Sequence, residues 1–358
     1  MSRFLLLDVG AGTLDVLFYD DLSGIHYKAA VRSPVLYLAE RAQSISGNLL
    51  ITGVEMGGGT FLDVLSRHAQ KARVVISASA ARTLSHNPDR IRNAGISIIE
   101  DSQAAAFAGL EGFTSLRLSD FPREHLESIA ADFGVPFEFD TIAVCAQDHG
   151  MPPPGKSHLD FRQEIIKEIL DRRPSPESLL FEKASVPLFL NRLKSIAETA
   201  STLPCTEVYV MDSGMAAIIG ASMDFQLRRR RRFIVLDVAT SHTVCAAIQD
   251  GEIAGFVEYH TRDLDLKKLE SLVVDLAEGR LLHRQVLAEG GHGAYIRKAF
   301  GFKAVELIVA TGPKRRLAEN SKLPIAFGAP LGDNMMTGTA GLLEAIRRRK
   351  GLKFSLYL

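Results

Sequence analysis

Short apolar runs that end in an aspartate and a corner of small residues give this chain its most regular pattern. Residues 4–7 are apolar, Asp8 follows, and the first corner, residues 10–13, leads directly into an apolar run at residues 16–19. A short apolar run bounded by glycines is typical of a buried strand, so the pattern predicts two strands joined by the corner. The corner has no third glycine and no helical pattern after it, which argues against a dinucleotide fingerprint.

The same pattern returns in the second half of the chain. Phe233 and Asp237 follow Phe4 and Asp8 by 229 residues each, and residues 239–242 form the second corner. In both halves a glycine-containing turn then leads into a third apolar strand. The sequence therefore predicts two three-stranded meanders and a duplicated α/β architecture.

The remaining periodicity predicts how the two lobes are filled. We predict an N-terminal lobe of residues 1–231, with a helical insertion at about residues 151–204, and a C-terminal lobe of residues 232–358. The last helix is expected to pack back between the lobes. Further strands are predicted at residues 49–52, 74–77, 96–99, 140–145, 208–211 and 307–310. Helices are predicted at residues 78–84, 122–133, 161–170, 187–200, 212–220 and within 264–287, and others begin near residues 61, 101 and 338.

The first corner and a second glycine-rich loop are candidate anion-binding sites. Glycine permits backbone conformations in which successive N–H groups face one point, and a helix N-terminus adds its dipole. The second loop precedes a helix for which Thr60 is the predicted N-cap, with Asp63 three residues on. The alternative in each case is a tight turn without a ligand. The residues expected to bind are Gly10, Ala11, Gly12, Thr13, Gly58 and Gly59.

Polar side chains follow the predicted strand at residues 140–145. Residues just past the carboxyl end of a strand commonly line ligand crevices in open α/β sheets. Asp148 beside His149 can orient a water, bind a metal or transfer a proton near neutral pH. The alternative is a solvent-exposed turn closed by an Asx-type hydrogen bond. We predict a functional role for both residues.

Composition and charge exclude several classes of function. The 358-residue chain is 46% hydrophobic and carries no net charge, so no nucleic-acid partner is expected. The five arginines of residues 228–232 are predicted to be a solvated connector. No run approaches the roughly 20 apolar residues of a membrane helix, and no signal peptide is expected. The isolated Cys145, Cys205 and Cys245 predict a reducing cytoplasm and supply no close ligand set for an iron–sulfur cluster.

The two Asp-Val corners resemble the two phosphate motifs of the actin, sugar-kinase and heat-shock-protein ATPase superfamily. Residues 210–220 are similar to the first connecting helix of that superfamily, residues 308–313 look like its adenosine corner, and residues 338–345 resemble its closing helix. The resemblance implies a duplicated actin-like (ribonuclease H-like) fold with mixed sheets and a cleft between two lobes.

A narrower resemblance is to a prokaryotic family of unknown function labelled pyruvate formate-lyase activating-enzyme-related. It is carried by residues 56–59, 147–150, 260–261 and 290–293. The label implies radical chemistry on an iron–sulfur cluster. The cysteine spacing leads us to reject that chemistry for this chain.

The superfamily resemblance implies that ATP or another nucleotide binds with Mg²⁺, and that a small phosphorylated molecule is the partner. Asp8 and Asp237 would carry Mg²⁺, and Gly312 would adjoin the adenosine. Asp148 or His149 would orient the attacking water or substrate hydroxyl, which makes the chain an NTPase or phosphotransferase. The second phosphate motif would contribute Thr240, Ser241, Thr243 and a catalytic His242.

His242 departs from the superfamily, which usually has glycine at that position. Side chains at residues 239–241 are expected to make a backbone cradle harder to form. This departure favours an alternative, a binding or regulatory protein that kept the cleft and lost hydrolysis. A third alternative is a metal-dependent hydrolase. Its ligands would be drawn from His149, His242, His260 and His292.

Overall fold

The computed structural model describes residues 2–352, which form three sheets and the helices that cover them. The strands in chain order are β1 Arg3–Val9, β2 Thr13–Asp20, β3 His26–Arg32, β4 Asn48–Gly53, β5 Val74–Ser77, β6 Ile96–Ile99, β7 Phe113–Leu118, β8 Thr141–Ala146, β9 Leu180–Glu182, β10 Glu207–Asp212, β11 Arg232–Val238, β12 His242–Gln249, β13 Glu252–His260, β14 Gly293–Ile296, β15 Leu307–Thr311 and β16 Ile325–Phe327. The helices are α1 Pro34–Ser44, α2 Phe61–Ala69, α3 Ala78–Ala81, α4 Pro88–Asn93, α5 Ala104–Ala108, α6 Arg123–Asp132, α7 His158–Arg172, α8 Asn191–Ala200, α9 Ser213–Ser222, α10 Leu266–Ala277, α11 His283–Ala288 and α12 Thr337–Lys350.

The two large sheets repeat one strand order. The first sheet runs β3-β2-β1-β8-β10-β9 and the second runs β14-β13-β12-β11-β15-β16. Each contains a three-stranded antiparallel meander whose first strand pairs in parallel with the next strand of the sheet, which in turn pairs in parallel with another. This is the ribonuclease H-like order, used twice. The predicted duplicated, actin-like α/β fold is confirmed, with β9 and β14 as additional edge strands.

The duplicated meanders bury their residues in the same pattern. Residues 4–7 of β1 and residues 233–236 of β11 are all buried, as expected for strands covered on both faces. In the second meander Asp250 and Gly251 both have positive φ, 56° and 81°, as a two-residue hairpin turn requires. The equal burial explains why both strands appear in the sequence as continuous apolar runs.

Two helices join the large sheets through backbone contact. α12 packs on α9 and also contacts β1, β2 and β8. A Cβ atom on Gly341 would lie 1.8 Å from the carbonyl oxygen of Ala216, and one on Gly220 would lie 1.8 Å from that of Thr337. Only glycine permits so close a crossing. One hydrophobic cluster contains side chains from both helices and both sheets.

A separate small sheet interrupts the first lobe. β6, β5, β4 and β7 form a parallel sheet with its own hydrophobic cluster, which draws on residues between Val35 and Leu118. The sequence pattern placed the strands at residues 49–52, 74–77 and 96–99 but did not separate them from the main sheet. It also missed α1 and β7, since only two residues of β7 are buried and its apolar pattern is weak.

The segment at residues 151–204, for which we predicted a helical insertion, is part of the main sheet of the first lobe. It connects β8 to β10, which are neighbouring parallel strands, and supplies β9 to the same sheet. α8 packs on β8 and β10. The segment therefore forms the crossover between two strands of the sheet, and the inserted unit is the small sheet.

Three helices begin with different capping arrangements. Thr60 occupies the N-cap position of α2, as predicted, but its side chain makes no cap hydrogen bond. The helix near residue 101 begins with a 3₁₀ turn capped by Glu100 and Gln103, because the Asp101 carboxylate accepts from Ser79 instead. Thr337 is the first residue of α12, and its hydroxyl pairs with that of Thr311.

Ion pairs engage arginines of the run at residues 228–232 and of the last turn of α12. Arg231 pairs with Asp250 on the surface, and Arg347 and Arg348 pair with the buried Glu344. Residues 228–232 are all exposed, in agreement with the predicted solvated connector. Within residues 2–352, no helix has the length and apolar character needed to cross a membrane.

Candidate functional site

A cavity of about 740 Å³ lies between the two large sheets. Both corners, the glycine-rich loop after β4 and the segment after β8 contribute to its lining. The predicted site residues in the lining are Asp8, Gly10, Ala11, Gly12, Thr13, Gly58, Gly59, Asp148, His149, Asp237, Thr240, Ser241, His242 and His260. The duplicated strand tips therefore face one shared space.

The two corners close in the same way and touch each other. The N–H of Gly10 donates to the carbonyl of Thr13 at 3.0 Å, and the N–H of Ala239 donates to that of His242 at 3.1 Å. A Cβ atom on Gly12 would lie 2.9 Å from Cγ2 of Thr240. The expectation that side chains hinder the second corner is wrong. The first corner forms the same turn without a positive φ at either glycine, so other residues can form it too.

Ser33 and Thr261 occupy equivalent positions and form hydrogen bonds with the backbone of the first and second corner, respectively. The backbone N–H of Ser33 donates to the carbonyl of Gly12 at 3.2 Å, and that of Thr261 donates to the carbonyl of Ser241 at 2.8 Å. The hydroxyls of both residues also donate to a carbonyl of the same corner, at 2.9 and 2.8 Å. The third strand of each meander therefore leads into a residue that fixes the corner shape.

Two predicted nucleotide-binding residues lie outside the cavity lining. Thr243 is buried, and its hydroxyl pairs with that of Thr261 at 3.0 Å, so it supports the second corner instead of facing a ligand. Gly312 has φ +89°, and a Cβ there would lie 2.7 Å from Oδ1 of Asp237. Glycine is needed there because the chain passes close to Asp237. Neither residue lines the cavity, so the structure gives no support to their predicted contacts with nucleotide.

Three carboxyl groups gather behind the corners: Asp15 is buried, and Asp8 and Asp237 are partly exposed. Burial raises the pKa of Asp8 to about 6; burial and the charge of Asp8 raise the pKa of Asp237 to about 7 and that of Asp15 to about 8. Asp15 is the direct cross-strand partner of Asp8 and was not among the predicted site residues. Its Oδ1 is buried without a hydrogen-bond partner. A cation would stabilise the ionised form of all three groups.

The N-termini of two helices point their first residues into the cavity. Ser213 and Gly214 of α9 and Thr337 and Gly338 of α12 are part of the lining. A Cβ on Gly338 would lie 2.0 Å from Oδ2 of Asp8, so glycine is required where the helix meets the carboxylate. Free N–H groups and the helix dipole at such ends favour an anion.

Packing explains two glycines of the loop at residues 57–59, and a positive φ of 47° explains the third, Gly59. A Cβ on Gly57 would lie 2.6 Å from the Arg192 guanidinium, and one on Gly58 would lie 2.3 Å from the carbonyl oxygen of Thr83. Arg192 forms a two-pronged pair with the buried Asp120, at 2.7 and 3.1 Å. The loop therefore has a fixed position at the border of the cavity. Arg192 and Thr83 leave no space for a side chain at Gly57 or Gly58.

Asp148 and His149 both line the cavity, but the backbone holds the side chain of Asp148 in place. The Oδ1 of Asp148 accepts the N–H of Gly150 at 2.8 Å, and its Oδ2 accepts the N–H of Leu193 at 3.0 Å. With both oxygens engaged by backbone, Asp148 anchors the loop and the start of α8. These bonds give Asp148 a structural role in addition to the catalytic role predicted for it. Burial, with the nearby Arg162, lowers the pKa of His149 to about 3, which keeps the ring neutral.

A buried ion triad links α7 to both sheets beside the cavity. Arg162 donates to Asp212 at 2.8 Å and to Glu258 at 2.7 Å, and all three side chains are buried. Burial opposes ionisation of Glu258, but the guanidinium outweighs it and holds the pKa of this carboxyl at about 2. The amide of Gln147 also donates to Glu258. The triad leaves one net negative charge next to the histidines of the second lobe.

Three of the four predicted metal-binding histidines come together at one end of the second sheet. The ring centroids of His242, His260 and His292 lie 4.4–4.6 Å apart. The ring of His149 lies 5.7 Å from that of His292 and does not join the triangle. Of the four predicted histidines, the structure therefore brings three together.

A family model described as "Putative pyruvate format-lyase activating enzyme (DUF1786)" matches residues 56–317. The chain belongs to this family. The DUF1786 label names an activity for which this chain has no cysteine ligand set among its described residues. Cys145 lies in β8 and Cys245 in β12, on different sheets, and these two and Cys205 are free thiols.

Several solved structures match nearly the whole DUF1786 chain at low identity. MreB5 of Spiroplasma citri bound to ADP is 9% identical, with 98% of this chain and 99% of that chain covered and a TM-score of 0.36. The PilM–PilN type IV pilus biogenesis complex is 12% identical, covers 96% and 97%, and has a TM-score of 0.37. Ethanolamine utilization protein EutJ from Carboxydothermus hydrogenoformans is 9% identical, covers 95% and 89%, and has a TM-score of 0.27. A comparison with curated proteins found no match.

We expect this DUF1786 protein to lose thermal stability between about pH 7 and pH 8 when divalent cations are chelated. The folded-state pKa values of Asp8, Asp237 and Asp15, about 6, 7 and 8, exceed the roughly 3.9 of an unfolded aspartate. The folded state then holds more protons than the unfolded state, so its stability falls as pH rises. Below about pH 7 the lowered pKa values of His149, His242 and His292 act in the opposite direction and offset the effect of the aspartates. Melting temperatures measured in a chelator across this range test the expectation.

Asp15→Asn provides the matched comparison, because it removes the carboxyl with the highest of the three pKa values. Its melting temperature should exceed that of the wild type at about pH 8, and the difference should shrink toward about pH 5. Asp89→Asn, in an exposed ion pair, should show no such trend. A wild type and an Asp15→Asn variant with parallel pH profiles would contradict the expectation.

Proposed function

We propose that the cavity binds a nucleoside triphosphate or diphosphate with Mg²⁺ and that the protein is an NTPase or phosphotransferase acting on a small molecule. One observation carries the proposal: two equivalent corners meet at one cavity, and a carboxylate behind each corner lines that cavity. The cavity volume of about 740 Å³ falls in the range of small-molecule sites, about 300–1,000 Å³. If the two corners were only tight turns without a ligand, nothing would require them to face each other.

The carboxylates fit Mg²⁺ held partly through water. Asp8 and Asp237 lie behind the two corners, and the pKa of each is raised by burial, which a bound dication would reverse. Among the residues that the structure describes, no three carboxyl groups bring oxygen atoms within 4.8 Å of one another. Only His242, His260 and His292, within that part of the chain, bring three metal-ligand atoms that close. Mg²⁺ commonly keeps several waters and takes one or two carboxylates plus phosphate oxygens. Bound there, it would neutralise charge on the phosphates.

Backbone and hydroxyl donors at the corners would hold the phosphates. The first corner offers the N–H groups of residues 11–13, and the second offers the hydroxyls of Thr240 and Ser241. The N-termini of α9 and α12 add dipoles of the same sign. The neutral ring of His242, whose pKa burial lowers to about 4, can donate one hydrogen bond to a phosphate oxygen.

A binding protein without turnover is the second candidate. Asp148, the carboxylate nearest in sequence to His149, has both oxygens engaged by backbone N–H groups. His149 itself is a weak base, with a pKa of about 3. Neither residue is well suited to take a proton from an attacking hydroxyl near neutral pH. Release of inorganic phosphate from ATP distinguishes the candidates, because a binding protein would release none.

Calorimetric titration with ATP and with ADP, in the presence and absence of Mg²⁺, tests the proposal. Wild type should bind more tightly with Mg²⁺, and Asp8→Asn and Asp237→Asn should each weaken binding by at least about tenfold, since each removes one charged metal partner. Asp89→Asn makes the same change on the exposed surface and should bind like the wild type. No binding by the wild type, or equal binding by all variants, would refute the proposal.

A further inference from the structure

The histidine triangle of the second lobe is built by strand pairing. His242 opens β12, His260 closes β13, and the two are direct cross-strand partners. His292 immediately precedes β14, and its backbone N–H donates to the carbonyl of Glu258 at 2.8 Å. The register of three adjacent strands therefore places the three rings at one end of the sheet. No loop needs to close to bring them together.

The ring nitrogens have the spacing that a single metal ion requires. One nitrogen from each histidine lies within 4.8 Å of the other two. Tetrahedral coordination, with metal–nitrogen bonds of about 2.0–2.1 Å, places imidazole nitrogens roughly 3.3 Å apart. The Nε2 atoms of His260 and His292 are already 3.0 Å apart. Small ring rotations bring the third nitrogen into range.

Without a metal the cluster is poorly satisfied. Nε2 of His242 and Nδ1 of His292 are both buried with no hydrogen-bond partner in the described chain. The two Nε2 atoms at 3.0 Å can share only one proton, so one of them spends its lone pair on the other. Unpartnered buried polar atoms are rare in folded proteins and call for an explanation. A metal ion would use all three lone pairs at once.

A buried carboxylate lies in the position of an outer-shell partner. Oε1 of Glu258 is 3.8 Å from Nδ1 of His292, while the other oxygen of Glu258 pairs with Arg162. A carboxylate behind a metal-bound histidine fixes the ring and strengthens the ligand. The triad of Arg162, Asp212 and Glu258 carries one net negative charge, which favours a cation beside it.

We propose that His242, His260 and His292 bind one transition-metal dication, Zn²⁺ in the first instance, with an open coordination position facing the cavity. Three neutral imidazoles suit Zn²⁺ and disfavour Mg²⁺, which takes oxygen ligands. His242 and His260 line the cavity, so the fourth position is open to a water or a phosphate oxygen there. Three protein ligands and one exchangeable position are the pattern of catalytic rather than structural zinc sites. The inference stands independently of nucleotide binding.

The test uses the full-length chain, freed of metal with a chelator and titrated with Zn²⁺ and, separately, with Co²⁺. Wild type should bind one equivalent of Zn²⁺, and Co²⁺ should give the visible absorption of a tetrahedral nitrogen site. His242→Ala, His260→Ala and His292→Ala should each weaken Zn²⁺ binding by more than about 100-fold, since loss of an outer-shell partner alone costs about 10–100-fold. His242 and His260 are only partly buried, so their variants are less prone to misfold than that of the buried His292.

Two variants separate the site from its surroundings. His149→Ala removes the neighbouring ring outside the triangle and should retain Zn²⁺ binding. Asp8→Asn removes a proposed Mg²⁺ partner and should also retain it, so failure of the nucleotide proposal would leave this result unchanged. A wild type that binds no Zn²⁺ would overturn the inference. So would a folded His260→Ala variant with wild-type affinity, or a loss in His149→Ala equal to that in the ligand variants.

Discussion

Gly341→Ala is expected to unfold the protein or to destabilise it by more than about 3 kcal/mol. The new Cβ would lie 1.8 Å from the carbonyl oxygen of Ala216, a backbone atom that cannot turn aside. α9 and α12 would have to separate, and the cluster that joins both sheets through these helices would lose its packing. Chemical denaturation monitored by circular dichroism measures the loss.

Gly109→Ala is the matched control for this substitution. Gly109 ends the short helix α5 with ordinary φ, and a Cβ there would contact nothing within 4 Å. Its stability should stay within about 1 kcal/mol of the wild type, with a small gain from the reduced freedom of the unfolded chain. If Gly341→Ala is as stable as Gly109→Ala, the close helix crossing is not what holds the lobes together.

Arg162→Met is expected to cost about 3–5 kcal/mol at neutral pH, because it leaves Asp212 and Glu258 buried without their cation. In the wild type, Glu258 has a folded-state pKa of about 2, below the roughly 4.3 of an unfolded glutamate. The stability that it contributes is present above about pH 4 and is lost as pH falls toward 2. The difference between variant and wild type should therefore shrink in acid.

Urea unfolding at neutral pH and at about pH 3 measures both the size and the pH dependence of this effect. Arg92→Met breaks an ion pair of similar length, 2.9 Å, between exposed side chains. It should cost less than about 1 kcal/mol at either pH. Equal losses for Arg162→Met and Arg92→Met would show that the buried triad is not an ion pair in the folded protein.

The duplicated sheets could be predicted from the sequence because, in both copies, burial of the strands produces a recognisable pattern of apolar residues. β1 and β11 are buried on both faces and carry unbroken apolar runs that end in aspartate. The small third sheet was harder to separate, since a strand such as β7 exposes most of its residues. Such a strand lacks the apolar run by which the others were found.

Asp15 could have been found from the sequence. The first corner fixes the hairpin register, and that register places Asp15 opposite Asp8. Side chains directly opposite each other in a hairpin lie on the same face of the sheet. A second carboxylate beside the predicted Mg²⁺ residue follows from that geometry alone.

The contacts of several predicted site residues come from segments far along the chain. Asp148 is engaged by the N–H of Leu193, and Gly312 is shaped by the approach of Asp237. The histidine triangle needs His292, which joins the other two only through the pairing of β13 with β14. Residue types and spacing within one segment cannot predict contacts between segments that are far apart in the chain.

A crystal structure of the protein grown with ADP and Mg²⁺ tests the central claim most directly. The account predicts that the diphosphate lies between the corners at residues 10–13 and 239–242, with Mg²⁺ near Asp8 and Asp237. A nucleotide bound elsewhere on the surface, or corners that stay in contact while the nucleotide occupies another cavity, would contradict it.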